Sequence, residues 1–412
     1  MEIDSGATAW VLVATALVLF MTPGLAFFYA GMVRRKNVLG MLMQNVYAIG
    51  LISVLWAMVG FSLAFGGHNG WIGNFDFAFM RNIGQFTQVP GYVGGLALVI
   101  PPVLFVAFQM MFAILTPALI TGATADRLKF GAYATLIGVW SVVVYPTVAH
   151  WVFSPMGWLH RRGALDFAGG TVVHINAGAA ALAVIFVLGA RRGWNHEAMP
   201  PHNLPLTILG TGILWFGWFG FNGGSALAAN GLAAQALINT HLSAAAAMLG
   251  WLLIERIVTG HATTLGAASG AVAGLVAITP CAGFVSGMSP VTIGLVAGFV
   301  CYSALHLKTI LRLDDSLDVI AIHLVGGLFG SIVLGLFADV SVNASGANGL
   351  FFGGGASLLG DQLLAAAVTF GFSFGVTYIV ARVLDMTIGL RVSPDDELTG
   401  LDQSQHAEAA YQ

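Results

Sequence analysis

The sequence predicts an all-α membrane protein that crosses the bilayer eleven times. Of its 412 residues, 58% are hydrophobic and only 8% are charged, whereas a soluble domain usually carries about 25% charged residues. Apolar runs near the roughly 20 residues needed by a bilayer-crossing helix recur along the whole chain. Lysine and arginine sort into alternate loops between those runs, as they do when a chain is threaded back and forth through a membrane. A net charge of −3 excludes a strongly basic nucleic-acid surface. The partner this composition demands is the lipid bilayer.

Each element follows from an apolar run and from what interrupts it. The opening MEIDSGATAW has neither a basic start nor a cleavage motif, so the first span is read over 8–31 as part of the mature chain and not as a signal peptide. The basic turn VRRKN ends it, and the second span runs over 40–66. A long Gly-, Asn- and Pro-containing loop precedes the third, over 93–122, which stops at the charged ADRLK; the fourth, over 130–153, stops at SPMG. The fifth, over 167–190, ends at RRGWNHEAMPPHNLP, the longest polar stretch in mid-chain. Beyond it come 203–222, ending at the Gly-rich NGGS, then 229–256, the small-residue run 263–282, 290–310, 318–338 and 361–388. Together these make one transmembrane domain over 1–388, followed by a polar tail over 389–412.

Twelve of the fifteen basic side chains fall after odd-numbered spans or near the tail, among them Arg34, Arg35, Lys36, Arg127, Arg191 and Arg391; Arg81, Arg161 and Arg162 fall on the other side. Cytoplasmic loops collect Lys and Arg, so the N-terminus is expected outside the cell membrane and the tail in the cytoplasm. The polar stretch at 191–205 divides the first ten spans five and five. An odd number of spans per half gives halves of opposite topology, the plan of an inverted repeat, expected over about 8–190 and 203–338. DFAGGTVVHINAGAAAL and DVIAIHLVGGLFGSI support it: each opens on Asp, then places His and a small-residue run, with Asp-to-His spacings of eight and five.

His174 and His323 occupy the equivalent fifth and tenth spans, in apolar sequence where an uncompensated polar group is costly. Equivalent helices of an inverted repeat meet near the mid-plane, so each imidazole is the other's natural partner, one ring N–H donating to the other's bare nitrogen. The alternative is that each bonds a backbone carbonyl. Desolvation disfavours a charge in such a place, and a pore built on the pair would admit a neutral species more readily than an ion. Asp166 and Asp318 open their helices, where Asp caps free N–H groups, which leaves the pair no third ligand; neither metal nor other cofactor is expected. His241, in NTHLSAAAAMLG, has no counterpart and is read as hydrogen-bonded in the core. Cys281 and Cys301 lack metal-ligand spacing and read as buried free thiols. Phe105, Phe108 and Phe112 share one helix face, and WFGWFGFNGGSA places Trp215, Phe216, Trp218, Phe219 and Phe221 ahead of Ser225. Such stripes are more often core than binding box, yet an aromatic box suits a small cation. With no HExxH pattern, an enzyme is not expected.

The stretches TALVLFMTPGLAFFYAGMVRRKNVL, ALDFAGGTVVHINAGAA, GWFGFNGGSA, DDSLDVIAIHLVGGLFG and GLRVSPDDELTGLDQSQHAEAAYQ resemble the ammonium transporter (Amt/MEP/Rh) superfamily, on its bacterial Amt side. The likeness spans nearly the whole chain. It implies the ammonium-transporter fold, a homotrimer of eleven-helix protomers with one pore each and a five-plus-five inverted repeat. Phe112 and Ser225 match its outer ammonium site, Phe153 stands at the third position, where the family commonly has Trp, and Asp166 matches a carboxylate near the entrance. Phe112 and Phe221 match the phenyl pair closing the pore, and His174 and His323 match its twin histidines. Phe28, Tyr29, Trp218 and Val319 match positions at or near the pore. The implied partners are ammonium and ammonia, with a PII-type regulatory protein on the cytoplasmic face. Two neighbouring readings share the likeness: the transporter-like domain of an ammonium sensor, and an Rh-like gas channel.

Overall fold

The computed structural model describes residues 3–411, so Met1, Glu2 and Gln412, at the ends of the expected domain and tail, lie outside the described residues. Among the described residues, ten helices long and apolar enough to cross a membrane, with one shorter apolar helix, make up the expected elements. They are α1 (Ser5–Met32), α2 (Arg35–Phe65), α3 (Pro102–Thr124), α4 (Phe130–Val152), α5 (Gly170–Leu188), α6 (Leu204–Gly224), α7 (Gly231–Thr259), the shorter α8 (Thr264–Ile278), α9 (Ser289–Ile310), α10 (Ile320–Phe337) and α11 (Ser357–Thr387). The chain is an all-helical polytopic membrane protein. At 15 residues, α8 rises about 22 Å, short of the roughly 30 Å hydrocarbon core. Its residues from Ala268 to Ile278 are all buried, so other helices, not lipid, surround it.

The third span starts late, and the ninth breaks inside its expected bounds. The third span begins at Pro102 rather than 93, because Gly94 takes a positive φ of 60° and the Pro101–Pro102 pair holds the chain out of the helical region. The displaced segment is still packed: Leu98 and Ile100 are buried, and the Val99 carbonyl accepts from the Asp4 N–H at 2.8 Å, beside the start of α1. The ninth span loses its regular helix after Ala304 and continues as the short turn Leu307–Ile310.

Close packing sets the scaffold. A Cβ on Gly24 of α1 would lie 2.6 Å from Ile213 Cγ2 of α6, and one on Gly31 would lie 2.6 Å from the Asn203 carbonyl oxygen at the head of α6. Only glycine lets the two backbones approach this closely. At the opposite end from Asp4, the tail forms two short helices, α12 (Pro394–Thr399) and α13 (Leu401–His406), the first opened by a Ser393/Asp396 capping box. It is clamped to the basic loops: Lys36 Nζ donates to the Glu397 carbonyl at 3.0 Å, Arg391 pairs with Glu397 at 2.7 Å, and Arg391 Nη1 donates to the Ala190 carbonyl at 2.7 Å. The loops rich in Lys and Arg thus gather with the tail on one face, as their sorting in the sequence required.

Both helices that carry the paired histidines open with a wider π-helical stretch, Gly170–Ile175 in α5 and Ile320–Val325 in α10. Such turns add a residue to the helical repeat and occur frequently at functional sites. His174 and His323 lie inside them.

Candidate functional site

His174 and His323 meet Nδ1 to Nδ1 at 3.2 Å, with ring centroids 5.3 Å apart and planes 17° from parallel. Two bare nitrogens repel, so one Nδ1 carries the proton and donates while the other accepts. Of the two alternatives open in the sequence, the pair is the one that forms. His174 is fully buried and His323 nearly so, and the His174 Nε2 has no hydrogen-bond partner among the described residues. Glycines four residues beyond each histidine make the contact possible. A Cβ on Gly178 would lie 2.6 Å from Leu324 Cβ, and one on Gly327 would lie 2.9 Å from His174 Cβ.

Above the imidazoles stands an aromatic column. Trp218 stacks on His174 at 5.5 Å, with its Nε1–H donated to Thr279 Oγ1 at 2.9 Å, and Phe221 lies 6.2 Å from His174. Phe112 then packs on Phe221 at 4.4 Å, and both phenyls are buried. The two stripes seen in the sequence divide: Phe105 turns away into a cluster with Phe61, Phe65 and Tyr92, and Phe216 faces outward. Trp215 and Phe219 pack against His241. His241 itself is exposed and, among the described residues, makes ring contacts only, which corrects its reading as a hydrogen-bonded core residue. The small residues after it, Ser243, Ala244, Ala246 and Ala247, take the buried face of α7 instead.

A cavity of about 210 Å³ opens beyond the phenyls and is lined by Phe112, Phe153, Asp166 and Ser225, together with His160 and Gln109. It lies on the face of the N-terminus. Ser225 Oγ donates to the Phe221 carbonyl at 2.8 Å, which leaves its lone pairs free. Asp166 has no such freedom. Its Oδ1 accepts from the N–H groups of Gly169 and Gly170 at 2.8 and 2.7 Å, and its Oδ2 from Thr171 N, Thr171 Oγ1 and Val172 N at 2.7, 2.6 and 3.2 Å. The carboxylate is therefore the cap of α5, as expected. Burial pushes its carboxyl above the usual range, against the pull of the Thr171, Gly169 and Gly170 donors.

On α10 the expected cap is corrected. Asp318 sits at φ 63° and pairs with Lys308 at 2.6 Å; Asp315 does the capping, its Oδ2 accepting from Ile320 N at 2.7 Å. The left-handed turn at Asp318 swings its side chain away from the helix start. Counted from Asp315, the Asp-to-His spacing equals that from Asp166 to His174, eight residues in each half. Burial, with the nearby Asp318 charge, pushes the Asp315 carboxyl up to about 7, against the Ile320 N–H and Lys308.

Tyr29 and Val319 converge on Gly122, where an added Cβ would lie 2.6 Å from Tyr29 Cζ and 2.7 Å from Val319 Cγ2; Phe28 packs beside Tyr29 at 5.7 Å. Around this end, Arg127 is fully buried and donates to the carbonyls of Gly189 and Asp314 and to Ser316 Oγ at 2.8, 2.7 and 2.7 Å. Burial drags its guanidinium down to about 10, against Asp314. Arg191 grips both oxygens of Asp314 at 2.9 and 2.8 Å. Burial pushes the Asp314 carboxyl up, but Arg191 and Arg127 outweigh it and hold the group below the usual range.

Sequence reasoning missed His160, Gln109 and Asp315. The first two carry no motif, and the third was hidden by its neighbour Asp318. Cys281 and Cys301 are buried free thiols, as read. The GFSFG stretch at 371–375 has the spacing of a nucleophile motif, but Ser373 is buried inside α11 with its hydroxyl given to the Asn176 carbonyl at 2.8 Å.

The profile described as Ammonium Transporter Family matches residues 9–411. An ammonium transporter of Mycobacterium tuberculosis H37Rv is 49% identical over 438 aligned positions, covering 99% of this chain and 90% of the relative. Among solved structures, Mep2 of Candida albicans superposes with a TM-score of 0.90 at 34% identity, covering 100% of this chain and 91% of that one. A chain named Sensor Amt Protein does so with a TM-score of 0.88 at 32% identity, covering 98% of each. A match that runs from α1 through the tail, over a fold shared almost end to end, means that the chain belongs to the ammonium transporter family, membrane transporters of ammonium rather than enzymes.

Proposed function

We propose that this chain recruits the ammonium ion at the cavity, releases its proton there, and passes ammonia between Phe112 and Phe221 and along His174 and His323, while the released proton crosses separately and rejoins ammonia inside, so that ammonium and its charge are taken up together. The observation that carries the reading is the order of environments: an aromatic-walled polar cavity, then two buried phenyls, then a buried imidazole pair. The ring faces of Phe112 and Phe153 attract a cation, and the Ser225 lone pairs accept one of its N–H groups. Asp166, with its oxygens already engaged, acts as a fixed negative group at a distance. Past the phenyls a bare ion would lose its hydration without a compensating charge, so the neutral molecule goes on. Ammonia can both donate and accept, which suits ring nitrogens and the partnerless Nε2 of His174.

The arrangement in the membrane is part of the proposal. Basic loops and tail share one face, which the charge rule assigns to the cytoplasm, so the cavity faces outside. The shared eight-residue Asp–His spacing, the π-helical stretches and the paired glycines support two inverted halves, over 8–190 and 203–338. An imidazole facing lipid is costly, and the exposed His241 supports a neighbouring protomer in a homotrimer. The docked tail offers the cytoplasmic surface on which a PII-type protein would sit. The likeness to the sensor chain favours one second reading, in which the same cavity reports ammonium without conducting it.

An ammonium concentration jump on proteoliposomes attached to a supported membrane separates the two. The transport reading expects an inward current with ammonium and none with potassium. No current and no ammonium uptake, together with an ammonium-dependent change in tryptophan fluorescence, would establish the sensor instead.

A further inference from the structure

We propose that His160 is a further recognition group of the ammonium cavity, its Nε2 accepting a hydrogen bond from the bound ion. The inference rests on the cavity's assignment to ammonium. His160 ends the wall formed by the short helix Trp158–Arg162 and lines the cavity with Phe112, Phe153 and Ser225. Its Nδ1 lies 3.3 Å from the Val152 carbonyl oxygen. A carbonyl only accepts, so Nδ1 carries the ring proton and Nε2 is left as a lone pair with no partner among the described residues. Val152 immediately precedes Phe153, so the bond that fixes the tautomer also ties the imidazole to the aromatic wall.

This acceptor completes a set. The phenyl faces recognise positive charge of any kind, whereas an N–H donor is recognised only by lone pairs, and Ser225 and His160 supply them. Potassium has no N–H to donate and prefers oxygen ligands, so an imidazole nitrogen favours ammonium over it. The charged and titratable groups around His160 are Arg161 on its own turn, Asp166 and Tyr92 across the cavity, and Arg162, which is paired with Asp361 of α11 at 2.9 Å. Burial lowers the affinity of His160 for a second proton, the Val152 carbonyl resists that, and Arg161 adds to it; the ring therefore keeps its lone pair to lower pH than a free imidazole does. Once protonated, it loses the acceptor and repels the ion.

The test measures half-saturation of the ammonium current, and competition by potassium, at pH 5.5 to 8 in wild type, His160→Gln and His160→Phe. Loss of one hydrogen bond should weaken half-saturation about three- to tenfold in His160→Phe at pH 7.5, with the maximal current retained and potassium competing better. Wild type should weaken by a similar factor as the pH falls, while His160→Gln, a neutral acceptor throughout, should lose that pH dependence. Phe153→Ala and Ser225→Ala serve as references. If they weaken half-saturation while His160→Phe does not, or if His160→Gln keeps the full wild-type pH profile, the role of His160 is overturned and the cavity assignment stands. If the reference variants also match wild type, both fall together.

Discussion

On the proposed reading, Phe153 sets how firmly the cavity holds ammonium. Its ring is half-buried at the wall, and its carbonyl is held by the Tyr92 hydroxyl at 3.2 Å. Trp presents a stronger cation–π face than Phe, in an interaction worth about 0.5–2 kcal/mol. Phe153→Trp should therefore tighten half-saturation about two- to fivefold, and Phe153→Ala should weaken it, since both the face and its shielding from water go. Half-saturation of the ammonium current reads both changes; two values equal to wild type would remove Phe153 from recruitment. At this scale the sequence was legible wherever a residue type has one chemical use, as with the paired imidazoles. It was not legible at Asp315, because which of two neighbouring acids caps α10 depends on the left-handed turn at Asp318. Nor was the outward position of His241 legible, since the apolar run around it reads alike on both faces of α7.

Helices α5 and α10 act as one unit because glycine lets them touch. A side chain at Gly178 would meet Leu324 Cβ and Cα at 2.6 and 2.7 Å, and backbone atoms cannot give way cheaply. Overpacking of this kind costs about 1–3 kcal/mol, so Gly178→Val should lower the unfolding temperature in detergent and separate the imidazoles, abolishing current. A variant with wild-type melting and full current would show that the contact does not hold the pair. The caps differ between the two helices. Asp315 has a folded-state carboxyl raised to about 7, above the unfolded value of about 3.9. The native state therefore binds the proton more tightly than the unfolded chain, and stability is lost as pH rises from about 4 through 7. Melting temperature against pH should fall more steeply in wild type than in Asp315→Asn over that window; parallel curves would contradict the burial of an unpaired oxygen there. The ten long spans and the shorter α8 were readable from their apolar runs. The late start of α3 and the π-helical openings of α5 and α10 were not, because hydropathy records burial and not backbone hydrogen bonding.

The whole molecule exposes apolar side chains such as Leu209, Leu249 and Ile257 on the outside of its helices, as a surface facing lipid requires. His241 is an exposed imidazole on one of those helices, and a homotrimer would cover it. Multi-angle scattering of the detergent-purified protein should give three times the 43.0 kDa protomer mass; a single protomer mass would leave His241 facing lipid and contradict the assembly. The central claim is that ammonia crosses along the imidazole pair. It is tested most directly by the ammonium-jump current of His174→Ala and of His323→Ala, each with a potassium jump as control. Removing either ring leaves the other without its partner, at a cost of about 1–3 kcal/mol, and opens the pathway beside the phenyls. The account predicts that in each variant the ammonium current drops about tenfold or more, or that potassium begins to carry current. Wild-type ammonium currents with potassium still excluded in both variants would contradict it.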